Sequence, residues 1–279
     1  MKKIILFTVL LFSSLTFSQK ISILDEETRS PIPYAKLILK DKDCYKNTEE
    51  NGQAQLENTE EISEIQSFGY ENLKVEIYQT VYLLKPKFTE IEEMEISKPA
   101  FSENFKIGKI EKSSTFFGAR TTMWSVGKEI KILNFPKKRL YVKSLKFSSR
   151  LNEKHSATIK VNFYYNENGL PGHIYKSMII TCFKNKKYTE YIVQKPFTFP
   201  KEGVIIGFEW IFNNENAYQK KTLIQGKTEL VIAHEPLIGA INENSNNFIT
   251  GSISNGDWVF TNVSSSSIGN IAIQLELTN

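Results

Sequence analysis

The sequence has 279 residues, of which 41% are hydrophobic and 24% charged, with two cysteines, Cys44 and Cys182. That supports two ordinary folded domains of ~100–200 residues and excludes a disulfide framework, which needs several cysteines in a short chain. The formal net charge of +4 conceals an imbalance: residues 20–97 carry nine Lys/Arg against 17 Asp/Glu, a net of −8, and residues 98–279 carry 24 against 14, a net of +10.

The chain opens with Lys2 and Lys3, an apolar run from Ile4 to Phe12 broken only by Thr8, and a smaller-residue stretch that ends at Ser18-Gln19. This order of charge, apolar core and small residues is that of a secretory signal peptide, residues 1–18, cleaved after Ser18 with Thr16 and Ser18 as the small residues at the site. The apolar run is too short to span a bilayer, which takes about 20 residues, and no later stretch is long enough either. The expectation is an exported protein, periplasmic, outer-membrane-associated or extracellular, with no transmembrane segment in its mature part. With no cysteine near the cleavage point, a lipid anchor there is not expected. Cys44 and Cys182 fall in different candidate domains; one bridge between them is conceivable, and two buried thiols are the simpler reading.

Residues 19–97 read as short strands separated by turns. Ile21 and Ile23 alternate with polar neighbours. Asp25 to Ser30 is a polar turn, Pro31-Ile32-Pro33-Tyr34 leads into the extended run Ala35 to Leu39, and Asn51-Gly52 closes another turn. Ile62 to Ser67, Leu73 to Tyr78 and Val81 to Leu84 complete a set whose close spacing predicts an all-β sandwich or barrel. The order Ile21 to Asp25, Thr28, Pro31-Ile32-Pro33-Tyr34-Ala35, Thr48-x-x-Asn51-Gly52, Gly69-Tyr70, Tyr82-Leu83 and the acidic-apolar tail Ile91 to Ile96 resembles the carboxypeptidase regulatory-like domain. The resemblance implies a seven-stranded transthyretin-like sandwich that serves as a non-catalytic accessory module in proteins of Gram-negative bacteria. In that family it stands beside a peptidase or ahead of the plug of an outer-membrane transporter. Neither neighbour is expected here. The three histidines, His155, His173 and His234, lack the spacing of zinc ligands, and some 180 lysine-rich residues do not make a plug and a large barrel.

Lys98-Pro99-Ala100 marks a boundary, and residues 98–127 form a linker or the first strands of a second domain. Residues 128–279 are expected to form a second sandwich, of jelly-roll type. Leu140, Val142 and Leu145 to Phe147 suggest one strand. Ile159, Val161, Phe163 and Tyr165 alternate with Thr158, Lys160, Asn162 and Tyr164, which makes the clearest half-buried strand of the chain. Further strands are expected at Met178 to Phe183, the apolar run Val204 to Phe212, Leu230 to Ala233, Trp258 to Thr261 and Ile271 to Leu277. The segment from Tyr164 to Phe212 resembles regions that come after the regulatory-like domain in other secreted bacterial proteins.

Candidate chemistry is sparse. Glu209 interrupts an apolar strand, on the face opposite Val204, Ile206, Phe208, Trp210 and Phe212. A glycan hydrolase would need it and a second carboxylate a fixed distance away, for which Glu190, Glu229 or Asp257 could serve; the plainer reading is an exposed or lysine-paired glutamate on the solvent face. Trp258, beside Asn255-Gly256-Asp257, is the best candidate for an exposed aromatic platform on which a sugar could stack, whereas Trp210 reads as core. Asp41 and Asp43 resemble the start of a calcium loop whose other ligands are missing. No serine elbow and no phosphate-binding glycine loop occurs, so no metal and no cofactor is expected. The lysines of the second half are scattered and read as a solvated surface, though they could meet an anionic envelope surface or an acidic glycan. Charge alone would support nucleic-acid binding, and export argues against it. The composite expectation is an exported, non-catalytic binding or structural protein of the cell envelope that meets a glycan or an outer-membrane protein, with ligand candidates Trp258, Asp257 and Glu209. The alternatives are a glycan-active enzyme using Glu209 and an accessory subunit of an outer-membrane complex.

Overall fold

The computed structural model describes residues 19–40, 44–57, 60–87, 103–120, 123–224, 226–243, 247–254, 257–263 and 269–279. The signal peptide of residues 1–18, the Asp41 and Asp43 pair, the tail Ile91 to Ile96 and the Lys98-Pro99-Ala100 boundary lie outside them. The described residues are all-β, with no helix among them, and the sheets pack as sandwiches. The chain divides into two compact units, residues 1–89 and 90–279. Among the described residues no cysteine is in a disulfide; Cys182 is buried and Cys44 half-buried.

The first unit contains β1 (Gln19–Asp25), β2 (Lys36–Leu39), β3 (Tyr45–Asn47), β4 (Gln53–Leu56), β5 (Ile62–Gln66), β6 (Leu73–Lys74) and β7 (Val81–Leu84). One sheet runs β4-β1-β7 and the other β3-β2-β5-β6. β1 is antiparallel to β4 and parallel to β7. Its alternation aims Ile21 and Ile23 at a core shared with Leu37, Leu39, Leu56, Ile65 and Leu84. The turn residues do the knitting. Asp25 accepts hydrogen bonds from the backbone N–H groups of Glu27 and Thr28 and from the Tyr70 hydroxyl. The Thr28 N–H, first among these, holds the Asp25 carboxyl below its ordinary range. The Thr48 hydroxyl accepts from the Ala35 N–H and donates to the Ile32 carbonyl, and the Asn47 amide donates to the Tyr34 carbonyl. Gly52 takes a φ of 73° under this turn, where a Cβ would stand 2.9 Å from both the Ile23 carbonyl oxygen and Pro31. Only glycine fits there without strain.

The second unit contains β8 (Asn104–Lys109), β9 (Thr115–Ala119), β10 (Trp124–Ile130), β11 (Leu140–Arg150), β12 (Ser156–Glu167), β13 (Leu170–Phe183), β14 (Tyr188–Phe199), β15 (Val204–Trp210), β16 (Ala217–Ile224), β17 (Lys227–Ile241), β18 (Phe248–Ser254), β19 (Asp257–Val263), β20 (Asn270–Ile271) and β21 (Ile273–Thr278). A six-stranded antiparallel sheet runs β13-β12-β15-β10-β18-β19. The second sheet runs β16-β17-β11-β21-β8, with β14 on β11 and with β9 and β20 on β17. The two sheets meet through Phe147 against Phe208 and Phe163 against Phe197, each pair edge-to-face at 5.0 Å. β11 can aim Leu140 and Val142 as well as Leu145 and Phe147 inward because a bulge between Val142 and Ser144 shifts its phase by one residue. All seven residues of β15 are buried, as its apolar run predicts, and Trp210 is core: its indole N–H donates to the Pro236 carbonyl and its ring stacks on Trp124.

The structure departs from the sequence pattern in several places: the strand expected over Leu73 to Tyr78 covers only Leu73–Lys74, and Tyr165, expected in line with Ile159, Val161 and Phe163, is 39% exposed while Tyr164 is buried, past a register shift in β12. The turn between β12 and β13 is only two residues wide, because β12 runs on to Glu167 and β13 begins at Leu170, with Asn168 and Gly169 both at positive φ. That is the geometry of a tight hairpin. β8, β9, β14, β16 and β18 are strands that the sequence pattern does not mark. Their residues are mixed and mostly half-buried or exposed, so no clean period-two signal picks them out.

Candidate functional site

Glu209 lies on the outer face of the six-stranded sheet, opposite Ser125 of β10 on one side and Lys160 of β12 on the other. It is 3% exposed. The Ser177 hydroxyl donates to the Asn162 side-chain carbonyl at 2.7 Å, and the Asn162 amide donates to Glu209 Oε2 and to the Tyr164 hydroxyl, each at 3.3 Å. Lys160 Nζ stands 4.0 Å from Glu209 Oε1. Burial, and then the Glu209 carboxylate, push the Tyr164 phenol far up. Glu209 is thus lysine-paired but buried in a polar row rather than facing solvent. Of its suggested partners, Glu190 sits on β14 in an ion pair with Lys146, and Glu229 sits on β17. Both belong to the other sheet. The backbones of Asp257 and Trp258 begin β19 and pair with Ser254 and Ile253; their side chains, like Asn255 and Gly256, lie outside the described residues.

His234 and Glu235 form a second buried polar group. The Glu235 carboxylate accepts hydrogen bonds from the backbone N–H groups of Asn152, Glu153 and Lys154, at 2.5 to 3.0 Å, and so holds the β11–β12 loop. The His234 ring packs on Phe212 at 4.5 Å, and its Nδ1 has no hydrogen-bond partner among the described residues. Burial, helped by the Lys154 charge, brings its pKa down to about 4. Among the described residues no cluster of His, Cys, Asp or Glu could hold a metal ion.

A different place collects positive charge that no described carboxylate balances. β11 pairs with β14 as far as Ser148, and the Ser149 N–H still donates to the Lys187 carbonyl, while β17 takes over from β21 at Ser149 and Arg150. At this end of β11 lies a cavity of about 440 Å³, within the usual range for small-molecule sites. It is lined by Lys112, Arg150, Lys186 and Lys187, by Ser113, Ser148 and Ser149, and by Phe116 and Tyr188; the Ser149 hydroxyl is itself bonded to Thr189. No carboxylate lines it, and among the described residues none of the four cations makes an ion pair. The local causes are visible. Asn185 takes a φ of 66°, which closes the β13–β14 turn and presents Lys186 and Lys187 side by side. The Arg150 guanidinium lies 4.1 Å over the Phe116 ring, which fixes its direction. The Ser113 and Ser148 hydroxyls, 2.9 Å apart, rest against Gly239, where a Cβ would come within 2.4 Å of both.

The sequence pattern does not point to this cavity. Its residues come from three separated segments, and the one local signal is the Lys184-Asn185-Lys186-Lys187 run. The chain matches no protein-family model, no curated protein and no solved structure.

Proposed function

We propose that the protein is an exported, non-catalytic binding protein of the bacterial envelope, that its first unit is a regulatory-like accessory sandwich, and that its second unit, of jelly-roll type, holds an anionic carbohydrate in the cavity beside Arg150. The observation that carries the reading is the set of four cations, with Ser113 and Ser148, lining one cavity with no acidic side chain among the described residues there. Unpaired cations cost little at a surface, but four converging on a concavity raise the local concentration of anions. Arg150 supplies a fork that suits carboxylate or sulfate bidentately, the lysines add point charges, and Phe116 and Tyr188 offer apolar faces for a sugar ring. The signal-peptide pattern and the N-terminal resemblance support an envelope location. No observation favours the glycan-hydrolase alternative: Glu209 is engaged with Lys160 and Asn162, and Glu190 and Glu229 stand on the other sheet.

Titration calorimetry of the full chain with an oligogalacturonide and with a neutral galacto-oligosaccharide tests this. The charged sugar should bind, with affinity that falls as salt rises, and the neutral one should bind far more weakly. Arg150→Ala with Lys187→Ala should abolish the difference. Equal binding of both sugars, or binding undiminished in the double variant, would sink the assignment. Trp258→Ala in the same titration checks the aromatic platform read from the sequence.

A further inference from the structure

The hairpin formed by β16 and β17 leaves the second sandwich. Its register runs from Ala217 opposite His234 to Ile224 opposite Lys227, around a turn at Gly226. β9 joins β17 only from His234 onward and β11 only at Leu237 and Ile238. Among the described residues, positions 218–224 and 227–233 therefore pair only with each other. Seven residues at about 3.4 Å each give a two-stranded arm roughly 24 Å long. A bare two-stranded ribbon is marginal in water, and this one does not shield its apolar side chains. Leu223 is 71% exposed, Leu230 57%, Ile232 55% and Ile224 36%.

The pattern on the arm selects what would cover it. Alternation puts Leu223, Leu230 and Ile232 on one face, with Lys221 directly opposite Leu230. Ile224 falls on the other face, next to the turn, so the tip is apolar on both sides. A flat protein partner would cover one of those faces; a lipid phase surrounds both. Lys220 and Lys221 lie three residues behind the tip, about 10 Å, and Lys227 flanks the turn with a stem long enough to carry its charge back from an apolar layer. Against these three cations the arm has one anion, Glu229. A second copy of the chain fits poorly. Lys220 and Lys221 occupy the middle of β16, so antiparallel pairing of two free β16 edges would set lysine against lysine, a repulsive cross-strand pair.

We propose that this hairpin docks on an anionic bilayer surface, its tip residues Leu223 and Ile224 entering the boundary between headgroups and acyl chains and Lys220, Lys221 and Lys227 meeting the anionic headgroups. Shallow insertion of an apolar edge, 5–10 Å deep and backed by lysines, is the general physics of interfacial membrane binding. The site is separate from the cavity beside Arg150, and neither depends on the other.

The test is co-sedimentation of the full chain with phosphatidylglycerol–phosphatidylcholine vesicles and with phosphatidylcholine vesicles alone. The protein should pellet with the first and remain in solution with the second. Lys220→Ala with Lys221→Ala should weaken vesicle binding roughly tenfold or more. Leu223→Ser with Leu230→Ser should do the same at unchanged charge, which separates insertion from simple attraction. Because none of the substituted side chains is buried, thermal unfolding of both variants should match the parent. Failure to bind the anionic vesicles, binding undiminished in the leucine variant, or a stable dimer that forms in place of vesicle binding would each overturn the proposal.

Discussion

The second unit holds two kinds of polar cluster, and the contrast between them separates architecture from recognition. In the polar row around Glu209 and in the loop clamp of Glu235, the acceptors and donors answer one another inside the protein: Ser177 to Asn162 to Glu209, with Lys160 beside it, and three backbone N–H groups to Glu235. The buried Lys128, paired with Glu243, belongs to the same kind, even though burial lowers its pKa. Around the cavity beside Arg150, four cations line the space and none makes an ion pair among the described residues. A buried charge must be answered within the fold. A charge on a concave rim carries no such constraint, so a one-sided cluster there points outward, to something the protein meets.

If that contrast is right, the largest effect of a substitution should fall on the answered charges and should be an effect on stability. Glu235→Ala strips the acceptor from three backbone N–H groups that cannot turn away, and it should cost about 4 kcal/mol in urea unfolding. Glu235→Gln, which keeps one carbonyl oxygen, should cost clearly less. Next comes His234. Its pKa falls from an ordinary 6.5 to about 4 in the folded chain, so the unfolded chain takes up a proton first. Stability should be flat above about pH 6.5 and should drop by about 3 kcal/mol as the pH is lowered toward 4. His234→Phe should remove that slope while other acid-labile contacts, such as the Asp25 turn in the first unit, persist. A slope unchanged in His234→Phe would mean that the ring is not the buried neutral group its packing on Phe212 indicates. Smaller again is the cavity rim. Arg150→Ala should leave stability within about 0.5 kcal/mol and weaken oligogalacturonide binding roughly tenfold, about 1.4 kcal/mol. A large loss of stability there would erase the contrast.

The parts of this fold that are legible in the sequence are those whose apolar side chains keep a period or a run. β1 shows Ile21 and Ile23 in alternation, β12 shows Ile159, Val161 and Phe163, and β15 shows an apolar run, broken only by Glu209, because both of its faces are covered. β14 and β16 stay hidden: Tyr188–Phe199 spreads its apolar residues without a period, and β16 belongs to an arm with no buried face at all. Glu209 is legible as a carboxylate on the face opposite the core side chains, and as a lysine partner. Its burial is not, because that depends on Asn162 and Tyr164 of the neighbouring strand, and cross-strand register cannot be read from one strand. The cavity is illegible for the same reason in a stronger form. Lys112, Arg150 and Lys187 are brought together at the end of β11, where Ser149 and Arg150 meet β17 beside the β13–β14 turn, and nothing local to any of the three announces it.

The smallest expected effect is the most discriminating, since it sets Glu209 against both readings of the unit. Glu209→Gln keeps the shape and leaves an amide oxygen to accept from the Asn162 amide, so only the charge opposite Lys160 is lost. Lys160 is itself partly exposed and can turn its ammonium toward water, unlike the fixed N–H groups under Glu235. The cost in urea unfolding should therefore be about 1 kcal/mol, and oligogalacturonide affinity should not change, because Glu209 belongs to the six-stranded sheet and the cavity to the other. The Tyr164 phenol, which rises partly in response to the Glu209 carboxylate, should titrate lower in Glu209→Gln, followed by ultraviolet difference spectroscopy. A variant that keeps its stability but loses a hydrolytic activity toward a glycan would make Glu209 a catalytic group and would return the polar row from architecture to chemistry. A variant that loses a little stability, keeps its affinity and lowers the Tyr164 titration leaves the row as a buried brace and the cavity as the binding site.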